Sequence, residues 1–164
     1  MLEQPSALGD WKDGDLPGGG TMYRTIVVGT DCSPTATIAV MKASELARLT
    51  GAKLYLVSAY HAAAGAAVGG GAVLFDPDGH EFAAERRFEV DAVARGLRER
   101  GIEVETRVEA GGAAAVLVRM ADTLDADLLV VGDRGLKGLR GVLGSVPERV
   151  THRARLDVLV VHST

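Results

Sequence analysis

A doubly wound parallel α/β sheet is what this chain predicts, and two observations predict it. Short apolar runs rich in Val, Ile and Leu, each suited to a strand buried on both faces, alternate with longer stretches of helical period. Two of the turns that follow those strands, 29–33 and 131–145, carry glycine, hydroxyl and charged residues. In such a sheet both open onto one crevice beyond the carboxyl ends of the strands, where ligands bind.

Residues 1–21 have no hydrophobic periodicity, end in Pro17-Gly18-Gly19-Gly20 and read as a disordered tail, which leaves 22–164 as a single domain. The first strand runs from Arg24 to Thr30, with Ile26-Val27-Val28 apolar on both faces. Ser33 then caps a helix whose first residue is Pro34, and Ile38, Met41, Ala43, Leu46 and Leu49 supply an apolar stripe until Gly51 stops it. Lys53 to Tyr60 is the second strand, which completes a βαβ unit.

The stretch 61–79, rich in Ala and Gly, reads as a mobile connection. From about His80 to Arg100 the period is helical, with Phe82, Ala83, Val90, Val93, Ala94 and Leu97 on one face and Arg86 interrupting them. Gly101 ends it. Ile102 to Val108 alternates as a half-exposed strand near an edge, and Gly111-Gly112 opens a third helix through Leu124. Asp127 to Val131 is the fourth strand, 147–152 belongs to a short helix, and Asp157 to Val161 is the fifth strand.

The loop after the fourth strand is the chemically distinctive stretch. Glycine recurs at 132, 135, 138, 141 and 144, five of the thirteen positions from 132 to 144, so backbone N–H groups are open to close approach. Arg134, Lys137 and Arg140 sit among them and Ser145 follows at a helix start. Backbone donors and cations together suit an anion, most simply a phosphate chain. The competing reading is a flexible glycine-rich loop whose charges only keep it hydrated. No G-x-x-x-x-G-K-[ST] is present and no G-x-G-x-x-G follows a strand, so neither of those phosphate motifs applies.

Charge and composition narrow the partners. The formal net charge of −4 argues against general nucleic-acid binding. Within 132–155, however, six Lys/Arg face two acids, a local balance of +4, part of which belongs to a solvated helix face carrying Arg149, Arg153 and Arg155. No apolar run approaches the roughly 20 residues that span a bilayer, no signal peptide is visible, and one cysteine forms no internal disulfide; a cytoplasmic, membrane-free protein is expected. His61, His80, His152 and His162 are scattered without ligand spacing, so no metal site is expected. No Ser/His/Asp or Cys/His grouping stands out, so no catalytic residue is assigned; Cys32 is read as a small buried residue in preference to a redox sensor.

These residues resemble the universal stress protein family over nearly all of 23–163. Ile26-Val27-Val28-Gly29-Thr30-Asp31-Cys32-Ser33 is similar to its first strand and Asp-x-Ser turn. Asp125 to Gly132 is similar to the entry to its nucleotide loop, and Gly144-Ser145-Val146 with Val158 to Val161 to its ending. The ATP-binding branch carries G-x2-G-x9-G-[ST]; here Gly132-x2-Gly135 fits, but eight residues separate Gly135 from Gly144.

The resemblance implies a five-stranded flavodoxin/Rossmann-like sheet and an adenine nucleotide, ATP or else AMP or cyclic AMP, with Mg²⁺ as a possible companion. It implies that Gly29, Thr30 and Asp31 meet the adenosine end, that the Ala59 backbone contacts adenine, and that Val131 lines the base or ribose pocket. Gly132, Arg134 and Gly135 would start the phosphate path, and Gly144, Ser145 and Val146 would close it. Asp31 also has a purely structural reading, stabilising the adjacent helix start, and Ser145 an ordinary capping one. A homodimer through the strand at 157–162 is implied as well. The function expected is a nucleotide-responsive stress or signalling protein; a slow ATP hydrolase and a ligand-free dimeric module are the alternatives.

Overall fold

The computed structural model describes residues 23–61, 80–133 and 145–162. The tail at 1–21, most of the connection at 61–79 and the loop positions 134–144 lie outside them. The elements are β1 (Thr25–Gly29), α1 (Pro34–Thr50), β2 (Lys53–Tyr60), α2 (His80–Arg98), β3 (Val104–Ala110), α3 (Ala113–Thr123), β4 (Leu128–Gly132), α4 (Val146–Thr151) and β5 (Asp157–Val161). The five strands form one sheet in the order β3-β2-β1-β4-β5, and every neighbouring pair is parallel.

Alternation along the strands divides the core in two. Ile26, Val28, Leu54, Leu56, Leu128 and Val130 face the side covered by α1 and α2. Val27, Val57, Leu129 and Val131 face the side covered by α3 and α4. Because β1 is central, Ile26, Val27 and Val28 are all fully buried, which is why that run has no polar alternation.

Capping sets the ends of α1. The Ser33 Oγ accepts from the Ala36 N–H at 3.2 Å, Pro34 takes the first turn, and Gly51 closes the helix at φ 71°. The buried stripe differs from the expected one. Ala36, Ala39, Val40, Ala43 and Ala47 face the sheet, while Met41 and Leu49 are 57% and 67% exposed. Two positions beyond Ala39 is roughly 200° round a helix, so Met41 lies on the far side. Small side chains let α1 lie close on the strands, and the larger apolar residues border that contact.

Helix α2 buries Val90, Ala94 and Leu97, with Phe82 half exposed. Arg98 holds the next segment by donating from Nε (3.1 Å) and Nη2 (2.9 Å) to the Val104 carbonyl. The third strand begins two residues later than expected, at Val104, and occupies one edge of the sheet as its alternation implied. At the other edge is β5, with Val158, Leu159 and Val160 half buried.

Asp127 fixes the start of β4 against β1. Its Oδ2 accepts from the backbone N–H of Arg24 (2.8 Å) and of Thr25 (2.9 Å), and its own N–H donates to the Thr25 carbonyl at 2.9 Å. Hydrogen bonds to a carboxylate each contribute about 1.5 kcal/mol or more, and partial exposure reduces that here. Asp127→Ala is expected to lower stability by about 2 kcal/mol and Asp127→Asn, which keeps an acceptor, by about 1 kcal/mol. Urea denaturation with an unchanged m-value is the check; equal losses for both variants would contradict this account.

Candidate functional site

At the carboxyl ends of β1, β2 and β4 the sheet opens into a cleft with about 600 Å³ of empty space, part of it open to solvent. The cleft forms because β1 ends before its neighbours. Gly29 pairs with Val57, and the Thr30 N–H makes the last bond across to β2, to the Val57 carbonyl at 2.9 Å; β2 then continues to Tyr60.

Of the residues expected at the site, Gly29, Thr30, Asp31 and Ala59 line the cleft on one side. Val131, Gly132 and Val146 line it on the other, so residues flanking the glycine-rich loop stand in the same wall. Arg134, Gly135 and Gly144 lie outside the described residues. Ser145 is exposed and caps α4, its Oγ accepting from the Glu148 N–H at 3.4 Å. Four lining residues escaped the sequence reading: Ala36, Val57, Ala113 and Leu117. Val57 could have been found, being two residues before Ala59 and so on the same face of β2. The others are brought in by helix packing, which has no local signal.

The turn after β1 is held by its own polar groups. The Cys32 N–H donates to Thr30 Oγ1 at 3.0 Å, and the Ser33 N–H donates to Asp31 Oδ1 at 3.0 Å, an Asx turn. Cys32 takes a left-handed backbone, φ 60°, at a cost of about 1 kcal/mol for a residue with a side chain. Asp31 Oδ2 is buried and has no hydrogen-bond partner among the described residues. From α2, Arg86 Nη1 donates to the Asp31 carbonyl at 2.9 Å and pairs with Glu89 Oε2 at 2.9 Å. Burial pushes the Cys32 thiol up from its ordinary value and Glu89 adds to this, against the opposing influence of Arg86 and the Thr30 hydroxyl. The thiol is therefore protonated at neutral pH, in keeping with a packing role.

Beyond the cleft, the Asp133 N–H donates to the Val161 carbonyl at 2.8 Å, and His162 Nδ1 lies 3.2 Å from Asp133 Oδ2. Arg149, Arg153 and Arg155 are exposed, as a solvated face requires. No described helix is long and apolar enough to cross a membrane.

The family model described as the universal stress protein family matches residues 22–162. The chain belongs to the universal stress protein family. It is 40% identical over 148 residues to Universal stress protein Rv1636 of Mycobacterium tuberculosis, covering 87% of this chain and 98% of that one. It is 32% identical over 146 residues to Universal stress protein MJ0531 of Methanocaldococcus jannaschii, covering 87% and 84%. Among solved structures, a universal stress protein in complex with cAMP matches with a TM-score of 0.60 and 34% identity, over 87% of this chain and 98% of that one. The universal stress protein of Archaeoglobus fulgidus in complex with dAMP matches with a TM-score of 0.54 and 26% identity, over 85% and 98%. The parallel five-stranded α/β architecture is thus the family's.

One close contact brings α3 against the end of β1 beside the cleft. A Cβ at Gly29 would stand 2.7 Å from Leu117 Cδ1 and 3.0 Å from Cδ2, so the tip of the Leu117 side chain occupies its place because position 29 has no side chain. At Gly132, by contrast, a Cβ would meet only ordinary contacts, the Thr35 carbonyl at 3.7 Å and Ala39 Cβ at 3.8 Å. Gly29→Ala is expected to cost about 1–3 kcal/mol by overpacking. Leu117→Ala in the same chain should absorb much of that cost, so the double variant is more stable than the two single losses add up to. A double-mutant cycle by urea denaturation tests this, and strict additivity would contradict the contact.

Proposed function

We propose that this universal stress protein binds an adenine nucleotide in the cleft between β1, β2 and β4, and that occupancy of the cleft is its signal. The observation that carries the reading is the buried Asp31 Oδ2, without a hydrogen-bond partner among the described residues, at the edge of a mostly apolar cleft. A buried acceptor left without a donor is costly, and a ligand hydroxyl would satisfy it. Val57, Val131 and Leu117 offer flat apolar surface for a purine.

The backbone of β2 supports the same orientation. In a parallel strand, alternate residues direct both N–H and C=O to the same neighbour, and Val57 directs its carbonyl to β1. Ala59, two residues on, directs its pair the same way, past the end of β1 and toward the cleft. One donor beside one acceptor matches the hydrogen-bonding edge of adenine. Phosphates would then run toward Gly132, Arg134 and Gly135 and be closed over by Gly144, Ser145 and Val146.

The relatives solved with cAMP and dAMP favour an adenine nucleotide without choosing among ATP, AMP and cyclic AMP. The experiment is calorimetric titration of each into nucleotide-stripped protein, with and without Mg²⁺. Saturable binding of at least one is expected, and none by any of them would discard the reading. Asp31→Asn keeps the acceptor of the Asx turn and can place an NH₂ where Oδ2 stood. It should leave the fold stable and weaken the preferred nucleotide by about tenfold or more, since a ligand hydroxyl then loses its charged acceptor.

We also propose that the protein is a homodimer through β5. Leu159 and Val161 direct their backbone groups to β4, so those of Val158 and Val160 point away from the sheet along an apolar edge. Val160→Pro removes an outward N–H and leaves the ladder to β4 intact. Sedimentation should give a dimer for the natural sequence and a folded monomer for this variant; a monomeric natural protein at micromolar concentration would end the dimer proposal.

A further inference from the structure

Arg86 stands where α2 should carry an apolar residue. It lies one helical turn before Val90, on the face that continues through Ala94 and Leu97, all three buried in the core. A guanidinium there, 27% exposed, has to be satisfied by polar partners, and among the described residues these are the Asp31 carbonyl, Glu89 Oε2 and the Cys32 thiol. The Asp31 carbonyl belongs to the peptide that joins Asp31 to Cys32. Rotating that peptide plane by half a turn would carry φ of Cys32 from 60° into the ordinary extended region and relieve its strain. The same rotation would turn the carbonyl away from Arg86. The observed orientation therefore carries strain at Cys32, and it is held from two sides: by the Cys32 N–H bond to Thr30 Oγ1 within the turn and by a charged donor reaching in from another element.

Resting on the nucleotide reading, we infer that Arg86 is a positioning residue for the cleft: by holding the Asp31 carbonyl it fixes the 31–32 peptide and so the direction in which Asp31 presents its carboxylate. Helix α2 thereby becomes part of the ligand site without touching the cleft. A change in the place of α2 would alter affinity through the contacts Arg86 makes to this turn.

The test uses full-length protein carrying Arg86→Met, Arg86→Lys and Glu89→Gln. Methionine suits both the helix and the apolar face, so the thermal midpoint should hold. In Arg86→Met, affinity for whichever nucleotide binds the natural protein best should fall about tenfold, which corresponds to about 1.4 kcal/mol. Amide hydrogen exchange at Cys32 and Ser33, whose N–H groups bond within the turn, should speed up about tenfold while Val28 and Leu56 stay unchanged. Arg86→Lys, which can still donate to the carbonyl, should recover both readouts to within about threefold. Glu89→Gln should bind as the natural protein does.

Natural affinity in Arg86→Met would overturn the inference, and so would a loss of affinity without any change at the Cys32 and Ser33 amides. Should the natural protein take up no nucleotide, the reading of the cleft falls and the ligand half of the inference with it. Exchange at those two amides still decides whether Arg86 holds the turn.

Discussion

The early end of β1 is the constraint on which the rest of the site depends. Its register with β2 stops at Gly29 opposite Val57, with the Thr30 N–H making the last cross-strand bond, while β2 continues to Tyr60. A central strand that stops short leaves its neighbours' backbone without a ladder partner, at the level where the sheet order reverses. In the order β3-β2-β1-β4-β5, the helices after β1 and β2 cover one face and those after β3 and β4 the other. The chains leaving β1 and β4 therefore diverge, and the space between them is the cleft. Nothing about that space requires a particular side chain; it follows from strand length and crossover direction.

Side-chain size then decides how wide the cleft is. Alanines at 36, 39, 43 and 47 bring α1 down onto one face, with Ala39 Cβ close to where a Gly132 Cβ would stand. On the other face Gly29 leaves room for the tip of the Leu117 side chain of α3 against β1, which a Cβ at position 29 would force to shift. Two small-residue contacts on opposite faces thus meet at one end of the sheet. Small residues elsewhere in a core would cost buried apolar area, about 25 cal/mol for each Å². Here they keep both helices close to the strand ends, where the ligand is proposed to sit.

Much of the fold was legible because its signals are local. Ile26-Val27-Val28 is apolar at consecutive positions only because a central parallel strand is covered on both faces, and Ser33-Pro34 with Gly51 marks a helix from cap to cap. What was not legible depended on distance. Met41 and Leu49 looked like core by hydrophobicity, yet the helix turns its alanines inward, a choice made by the closeness of the sheet and not by the helix. The cleft residues expected from the strands and their turns, Gly29 through Asp31, Ala59, Val131 and Gly132, converge. Of those supplied by helices, Val146 was expected from the end of the glycine-rich loop, while Ala36, Ala113 and Leu117 were missed because nothing within a helix says which turn will face a strand end. Arg86 read as an interruption of an apolar stripe for the same reason, since its acceptor lies 55 positions away in the chain.

The two readings of Asp31 that compete in the sequence do not compete in three dimensions, because the carboxylate has two oxygens. Oδ1 accepts the Ser33 N–H and so makes the turn that delivers Ser33 to the start of α1, where its hydroxyl caps the Ala36 N–H. Oδ2 takes no part in that turn and is buried beside the cleft. A neutral acceptor could satisfy the turn alone, as asparagine does in many Asx turns. A charged one costs more to bury, and the added cost is offset only when something donates to the second oxygen. Aspartate at this position, with Cys32 left-handed and Arg86 bound to the Asp31 carbonyl, makes physical sense if Oδ2 receives a donor that is not among the described residues, at the place where the ligand is proposed to sit.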